Sequence, residues 1–203
     1  MSINSDIAQR YQVGILLFDE VEVMDFAGPF EVFSLAETID KQKLFKVHTL
    51  SPDGELISAR NGLKVQPDYA IQHMPVLDIL IIPGGYGAEE IIIHDPIIID
   101  WIRTQSNQVK VLASICTGAL VLAEAGLLNG LEATTHWMDL DRLRQDYPDV
   151  IVKSGVKFVD QGSIMTSAGI SAGIHLALHI VREWVNIDCA RTVIRRMDID
   201  IEM

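Results

Sequence analysis

A single cysteine, Cys116, lies between a short apolar run and a helix-like run in VLASICTGALVLAEAG, residues 111–126. A residue on such a sharp strand-to-helix turn has a strained backbone and projects its side chain into a cleft. The free N–H groups and the dipole of the following helix would stabilise a thiolate there. The pattern is typical of an activated nucleophile, although a buried structural cysteine fits the position alone equally well.

Three glycines follow a second apolar run, in IIPGGYGAEE, residues 81–90. The backbones of Gly84, Gly85 and Gly87 could approach a ligand closely and present N–H groups to a developing negative charge. A dinucleotide-binding G-x-G-x-x-G motif would need a third glycine at Glu90, whose carboxylate would repel a pyrophosphate. The segment therefore predicts an oxyanion pocket, with a plain strand-to-helix turn as the alternative.

Four carboxylates follow the first apolar run of the chain, at Asp19, Glu20, Glu22 and Asp25. A carboxyl group near Cys116 could hydrogen-bond the thiol and carry protons. Asp25 directly precedes a predicted helix, so it is also a candidate N-cap, with Pro29 expected in the first turn. Spacing alone does not indicate which of the four, if any, faces the cysteine.

Three histidines are candidates for a role in the site. His136 ends a short strand-like run and could reach the same cleft. His175 and His179 are four residues apart on one face of a predicted helix, a spacing that metal ligands often have. The segment lacks the glutamate of H-E-x-x-H and a third ligand is not evident, so the pair is interpreted as structural. We expect no metal and no cofactor.

The elements that must position these side chains alternate along the chain. Short apolar runs suited to strands buried on both faces occur at residues 13–18, 45–51, 78–83 and 110–115. Helical patterns lie between them, so the sequence predicts an α/β fold with a mainly parallel central sheet. Residues 61–71 and 156–167 break this alternation and are predicted to form antiparallel hairpins, the second turning at residues 160–162.

Length and charge limit the classes of function. The 203 residues contain no linker-like stretch, so we expect one domain over 1–203, with a polar N-terminal extension at 1–11. The net charge of -12 disfavours nucleic acid and anionic membranes as partners. The two cysteines, Cys116 and Cys189, form no disulfide framework, and no apolar run is long enough for a membrane span. A cytoplasmic location fits best.

Four motifs taken together resemble the ThiJ/PfpI superfamily, over residues 13–185: LLFDEVEVMDFAGPFEVF, DILIIPGGYG, SICTGALVLAEAGLLNGLEATTHW and GSIMTSAGISAGIHLALHIV. The resemblance implies the class I glutamine amidotransferase-like fold, a flavodoxin-like sandwich with helices on both faces of the sheet. Within the superfamily the sequence is most similar to isocyanide (isonitrile) hydratases and to the ligand-sensing N-terminal half of AraC-type regulators. Since those regulators continue into helix-turn-helix units, we expect no DNA-binding domain in this chain.

The resemblance also implies roles for individual residues. Cys116 matches the nucleophile, and Asp25 matches the carboxylic residue that contacts the thiol and handles protons. Thr117 matches the threonine of the hydratases, and the backbone amides of Gly85 and Thr117 would bind a developing anion, with Gly84 beside them. His136 lies in a segment that carries a histidine in other branches, where a catalytic and a structural role are both open.

The function implied is the hydration of isocyanides to N-substituted formamides, a small-molecule reaction in a homodimer. Protease-like members have a histidine directly after the cysteine, and Thr117 takes that place here, which disfavours a Cys-His peptidase or amidase. The apolar part of the substrate would contact residues such as Phe26, Tyr86 and Trp137. Glyoxalase-like or deglycase-like chemistry, hydrolysis, and a non-catalytic redox or ligand sensor remain the alternatives.

Overall fold

The structure is a computed structural model that describes residues 10–202. Most of the N-terminal extension expected at 1–11 therefore lies outside the described residues, and Tyr11 already begins a strand. No helix within residues 10–202 is long and apolar enough to cross a lipid bilayer.

Strands and helices alternate along most of the described chain. The strands are β1 (Tyr11–Leu16), β2 (Phe45–Ser51), β3 (Ile57–Ser58), β4 (Lys64–Val65), β5 (Tyr69–Ala70), β6 (Ile79–Ile82), β7 (Val111–Ser114), β8 (Glu132–Ala133), β9 (Ile151–Val152), β10 (Phe158–Asp160) and β11 (Ile164–Ser167). The helices are α1 (Val23–Leu35), α2 (Tyr86–Glu90), α3 (Pro96–Ser106), α4 (Gly118–Glu124), α5 (Leu140–Asp146), α6 (Ala172–Trp184) and α7 (Ile187–Met197).

The central sheet has the strand order β10-β11-β7-β6-β1-β2-β5. Every neighbouring pair is parallel except β10 and β11. The five strands β2-β1-β6-β7-β11 follow the flavodoxin-like order, in which the chain first winds outward on one side of β1 and then on the other. The predicted flavodoxin-like sandwich with a mainly parallel sheet is confirmed.

Helices cover both faces of this sheet. The helices α1, α6 and α7 pack together, and α2, α3 and α4 form a second packed group. Every residue of β6 and β7 is buried, because an apolar run without alternation suits a strand covered on both sides. The start of α3 is as predicted, since Pro96 is its first residue and Asp95 accepts the N–H of Ile97 at 2.9 Å.

The hairpin predicted for residues 156–167 is confirmed, and the one predicted for residues 61–71 is wrong. In place of the latter, β4 pairs antiparallel with β3, and β5 joins the edge of the main sheet parallel to β2. The physical reason is the position of the turn. Asn61 and Gly62 have positive φ angles of +61° and +87°, so the chain reverses at the start of the predicted segment rather than within it.

The first helix begins earlier than the sequence suggests. Because α1 starts at Val23, Pro29 lies in the interior of the helix and not in its first turn. Asp25 is inside the first turn, and the N-cap position belongs to Glu22, whose side chain makes no capping hydrogen bond. The expectation that Asp25 caps this helix is therefore wrong, and its carboxyl group is left for another role.

The absence of a side chain at Gly118 lets α4 approach the end of β6 closely, and a substitution there tests this requirement. A Cβ atom there would collide with the backbone carbonyl oxygens of Ile82 and Pro83 at the end of β6. We expect Gly118→Ala to lower the free energy of unfolding by about 2–3 kcal/mol in urea denaturation. Gly130 is the control, because its φ is +74° but a Cβ would meet open space, so Gly130→Ala should cost only about 1 kcal/mol. Equal losses would contradict the close-approach argument.

Candidate active site

Three loops meet at the carboxyl ends of β1, β6 and β7, at the point in the sheet where the winding reverses. The loop after β1 leads to Asp25, the loop after β6 contains Gly84, and Cys116 follows β7. The Gly84 N–H donates to Oδ2 of Asp25 at 3.0 Å, which joins the first two loops directly. Ligands bind at this edge in open parallel sheets, so the fold places these residues where chemistry is expected.

Cys116 has the backbone strain expected of a nucleophile elbow. Its φ is +54°, a left-handed conformation that is costly for a residue with a side chain. Two hydrogen bonds hold it there: its N–H donates to the carbonyl of Ala168 at 3.1 Å, and its carbonyl accepts the Thr135 hydroxyl at 2.9 Å. The side chain is only 6% exposed, so a substrate must enter the site to reach the sulfur.

The start of α4 favours a thiolate, as expected, but other effects outweigh it in the free site and the pKa of the Cys116 thiol rises overall. Burial raises the pKa of the Cys116 thiol above its ordinary value, and the negative charge of Asp25 raises it further. The Thr117 N–H donates toward the sulfur and lowers the pKa, but this contribution is smaller. The hydrogen bond from the start of α4 therefore does not outweigh desolvation next to a carboxylate.

Asp25 is the partner of this thiol. The carboxyl group is completely buried, and burial is the main reason why its pKa rises to about 7. The charge of Glu22 raises the pKa further, while the hydrogen bonds from the Gly84 N–H and the Cys116 thiol oppose the rise. Apart from this thiol, Oδ1 of Asp25 has no hydrogen-bond partner in the part of the chain that the structure describes. A carboxyl group that titrates near neutrality can both accept and donate a proton.

The other three carboxylates of the first loop have different contacts, which settles the choice that spacing leaves open. Asp19 Oδ1 accepts the N–H of Ser58 at 2.7 Å. Glu22 Oε2 lies 3.8 Å from Nε of Arg60. Glu20 forms the turn itself, with a φ of +60°.

The two backbone amides predicted to bind an anion, those of Gly85 and Thr117, have different partners in the free site. The Gly85 N–H donates to the hydroxyl oxygen of Thr117 at 2.9 Å, so this donor already has a partner, whereas the Thr117 N–H donates toward the sulfur. Gly85 has a φ of +110°, and a Cβ atom there would lie 2.5 Å from the backbone nitrogen of Glu22. Only glycine fits this position, which keeps the loops after β1 and β6 in contact.

Glu89, on α2, lies near the same cluster, and no sequence motif predicts it there. Burial raises the pKa of Glu89, and the nearby Thr117 hydroxyl opposes this rise more weakly. A carboxylate five residues beyond a glycine turn usually lies in solvent, and only the packing of α2 against α4 brings it to Thr117.

His136 contacts residues other than the thiol. Its Nδ1 lies 3.6 Å from Oδ2 of Asp139, and its ring packs so closely against Gly169 that a Cβ there would be 2.6 Å from the ring. The neighbouring Trp137 ring lies at a centroid distance of 5.7 Å. These contacts favour the structural role of His136 among the two that the sequence leaves open.

The pair of histidines on α6 does not assemble a metal site. His179 Nε2 lies 2.7 Å from Oδ2 of Asp160, so it ties α6 to the β10–β11 hairpin. No group of three or more potential ligands that could hold a metal ion occurs within residues 10–202. The contact supports the structural interpretation of His179.

An open groove of about 620 Å³ adjoins the site. Met24, next to Asp25, and Ala168, whose carbonyl holds Cys116, both line it, together with Trp137. Phe26 is buried and does not line this groove, so its contact with substrate stays a prediction. Tyr86 is about half exposed and does not line this groove.

Comparison with known proteins assigns the chain to a family. Residues 11–183 match the DJ-1/PfpI family. The chain belongs to the DJ-1/PfpI family. The resemblance deduced from the four sequence motifs is thereby confirmed.

Individual relatives of this DJ-1/PfpI protein have different functions. It is 39% identical over 182 residues to the isonitrile hydratase of Pseudomonas putida, covering 90% of this chain and 75% of that protein. It is 30% identical to the HTH-type transcriptional regulator GbdR of Pseudomonas aeruginosa, covering 83% of this chain but only 45% of the regulator. A ThiJ/PfpI family protein from Pseudomonas syringae superposes with a TM-score of 0.84 at 25% identity, over 96% of this chain and 77% of that one.

The buried carboxyl group of Asp25 makes stability depend on pH. Between the ordinary pKa of 3.8 and the folded value of about 7, the folded protein binds more protons than the unfolded chain, so its stability falls as pH rises. Asp25→Asn removes this loss, and we expect it to raise the free energy of unfolding at about pH 8 by up to about 4 kcal/mol. Urea denaturation should show the difference shrinking toward pH 4. Parallel pH profiles for the two proteins would contradict the raised pKa.

The same variant tests whether the charge of Asp25 raises the pKa of the Cys116 thiol. Removing the negative charge of Asp25 should lower the pKa of Cys116, so iodoacetamide should alkylate Cys116 several-fold faster in Asp25→Asn at about pH 8. Mass spectrometry of the peptides distinguishes Cys116 from Cys189, which serves as the internal control. An unchanged or slower reaction of Cys116 would show that Asp25 does not raise its pKa.

Proposed function

We propose that this protein hydrates isocyanides to N-substituted formamides. The observation that carries the proposal is the pairing of a buried thiol on a strained turn with Asp25, a carboxyl group whose pKa is about 7. The 39% identity to an isonitrile hydratase over 90% of the chain supports the same chemistry. The coarser form of the proposal is a cysteine-dependent reaction of a small electrophile.

The first step uses the proton that Cys116 and Asp25 share. The terminal carbon of an isocyanide, R–N≡C, must gain both a nucleophile and a proton. As the sulfur–carbon bond forms, Asp25 takes the proton of the thiol and delivers it to the same carbon, giving the thioimidate R–N=CH–S–Cys116. A high thiol pKa does not prevent this step, because the proton leaves for Asp25 during the attack.

The second step returns the thiol. Water adds to the thioimidate carbon, and one of its protons goes to the nitrogen, giving R–NH–CH(OH)–S–Cys116. The carbon–sulfur bond then breaks, the hydroxyl proton ends on the sulfur, and R–NH–CHO leaves. Thr117 lies beside the sulfur with its hydroxyl group 2.9 Å from the Gly85 nitrogen, in a position to orient the water.

The alternatives have less support at this site. A Cys-His hydrolase needs a histidine base at the thiol, whereas His136 contacts Asp139 and Gly169. A redox sensor needs a thiolate at neutral pH, and the pKa of Cys116 is raised. Both observations favour chemistry in which a neutral thiol gives its proton to Asp25.

The groove next to the site suits the apolar part of an isocyanide. Its exposed apolar side chains come from Met24, Trp137, Val156 and Ile170. The proposal requires a small-molecule substrate and no cofactor. The homodimer implied by the resemblance stays a prediction.

Purified protein should convert an alkyl isocyanide to the corresponding formamide, followed by the formyl proton in NMR. Cys116→Ala should lose at least about a thousandfold in rate, because the covalent step disappears. Cys189→Ala is the matched control and should keep the wild-type rate, since the Cys189 sulfur contacts the carbonyl of Glu37 rather than the site. Absence of formamide with the wild type, or full activity in Cys116→Ala, would overturn the proposal.

A further inference from the structure

Thr135 is a buried residue whose hydroxyl group the proposed reaction does not use. It lies just after β8 and is 1% exposed, and its hydroxyl donates to the carbonyl oxygen of Cys116 at 2.9 Å. A second donor to this carbonyl, the Ala119 N–H, lies farther away, at 3.4 Å. The Thr135 hydroxyl is therefore the closer of the two groups that fix the direction of the Cys116 carbonyl.

The neighbouring residue, Thr134, fixes the segment that carries Thr135. The Thr134 N–H donates to Oγ1 of Thr166 on β11 at 2.9 Å, and the Thr134 hydroxyl donates to the carbonyl of Lys153 at 2.9 Å. Thr134 is as deeply buried as Thr135. Because this segment is tied on two sides, the Thr135 hydroxyl is held in place as a donor.

The Cys116 carbonyl and the Thr117 N–H belong to the same peptide group. A trans peptide group is planar, so its C=O and N–H point in opposite directions and turn together. By holding the carbonyl, the Thr135 hydroxyl therefore also determines where the Thr117 N–H points. The φ of +54° at Cys116 gives this hold a purpose, because a left-handed residue with a side chain is strained and rotation of its peptide group would relieve the strain.

The Thr117 N–H is available to the reacting groups. The N–H groups of Cys116 and Gly118, on either side of it, donate to backbone carbonyls at 3.1 and 3.0 Å, whereas no oxygen atom of residues 10–202 accepts the Thr117 N–H. A Cβ atom on Gly84 would lie 2.5 Å from the Thr117 nitrogen and 3.0 Å from Oδ2 of Asp25. The nitrogen thus borders the same small space as the carboxyl group that handles the proton.

We propose that Thr135 is a positioning residue that keeps the Thr117 N–H directed toward the Cys116 sulfur by holding the Cys116 carbonyl. Negative charge develops on this sulfur twice in the proposed hydration, when the thiol loses its proton to Asp25 and when the carbon–sulfur bond breaks. An N–H that is already held toward the sulfur stabilises that charge without first having to turn. The inference rests on the proposed function, but the hold on the peptide group exists without an isocyanide.

The proposal predicts that Thr135→Val lowers the rate of hydration and that Thr134→Val does not. Each substitution removes one buried hydroxyl that donates to a backbone carbonyl at 2.9 Å, so the two variants should lose similar stability in urea denaturation. Only Thr135→Val frees the peptide group between Cys116 and Thr117, so we expect its kcat to fall by roughly 10- to 100-fold with KM nearly unchanged. Equal values of kcat in the two variants would overturn the proposal.

Thr135→Ser tests whether the hydroxyl group itself is responsible. Serine keeps a hydroxyl that can donate to the Cys116 carbonyl, so this variant should recover most of kcat. A Thr135→Ser variant as slow as Thr135→Val would contradict the proposal. If Thr135→Val does not fold, Thr135→Ala and Thr134→Ala give the same comparison, with the same difference in kcat expected and with equality counting against the role of Thr135.

A measurement without substrate separates this inference from the proposed function. Because the Thr117 N–H lowers the pKa of the Cys116 thiol, turning it away should slow the alkylation of Cys116 by iodoacetamide several-fold at about pH 8 in Thr135→Val, and not in Thr134→Val. Cys189, measured in the same digests, should react at the wild-type rate in both variants. If the wild type makes no formamide, the proposed function is wrong, and the alkylation rate still decides on Thr135. Equal alkylation of Cys116 in the two variants, or faster alkylation in Thr135→Val, would overturn the inference even in an active enzyme.

Discussion

The buried contact between the carboxyl group of Asp25 and the thiol of Cys116 is the interaction on which this site depends. Burial disfavours both anions, so the pKa of each group rises, and the proton stays within the pair instead of passing to water. The cost is stability lost at neutral and higher pH. A site that kept a free thiolate would need a cation or a stronger helix terminus at the sulfur, and this fold supplies carboxylates there.

Close backbone approach is what brings this pair together. A Cβ on Gly84 would lie 2.6 Å from the Thr117 hydroxyl oxygen and 3.0 Å from Oδ2 of Asp25. Gly85 and Gly118 are equally constrained, one by a positive φ angle and a neighbouring loop and the other by the end of β6. These glycines act mainly because they lack a Cβ atom, which lets the loops that follow β1, β6 and β7 pack against one another. Their amides have a smaller part in binding a substrate than the sequence suggests.

The sequence predicted the parts of the structure that local patterns determine. The strand at Phe45–Ser51 has the predicted bounds, and the turn at Cys116 has the predicted strain. The failures at the site concern interactions between distant segments. The partner of the Gly85 amide, the contact of Glu89 with Thr117 and the raised pKa of the thiol all depend on how α2 packs on α4 and on total burial. The prediction for residues 61–71 fails for a local reason. The turn residues Asn61 and Gly62 stand at the start of that segment and not in its middle, so β4 pairs with the preceding strand β3.

The central claim, that Asp25 can take the proton of the Cys116 thiol and release it again at neutral pH, can be tested directly. The carbon-13 chemical shift of the Asp25 carboxyl group, followed by NMR as pH is varied, reports its protonation without reference to any substrate. The account predicts a midpoint at about pH 7, against the ordinary value near 4. A midpoint below about pH 5 would contradict it, because the Asp25 carboxylate would then be too weak a base to take the proton of the thiol.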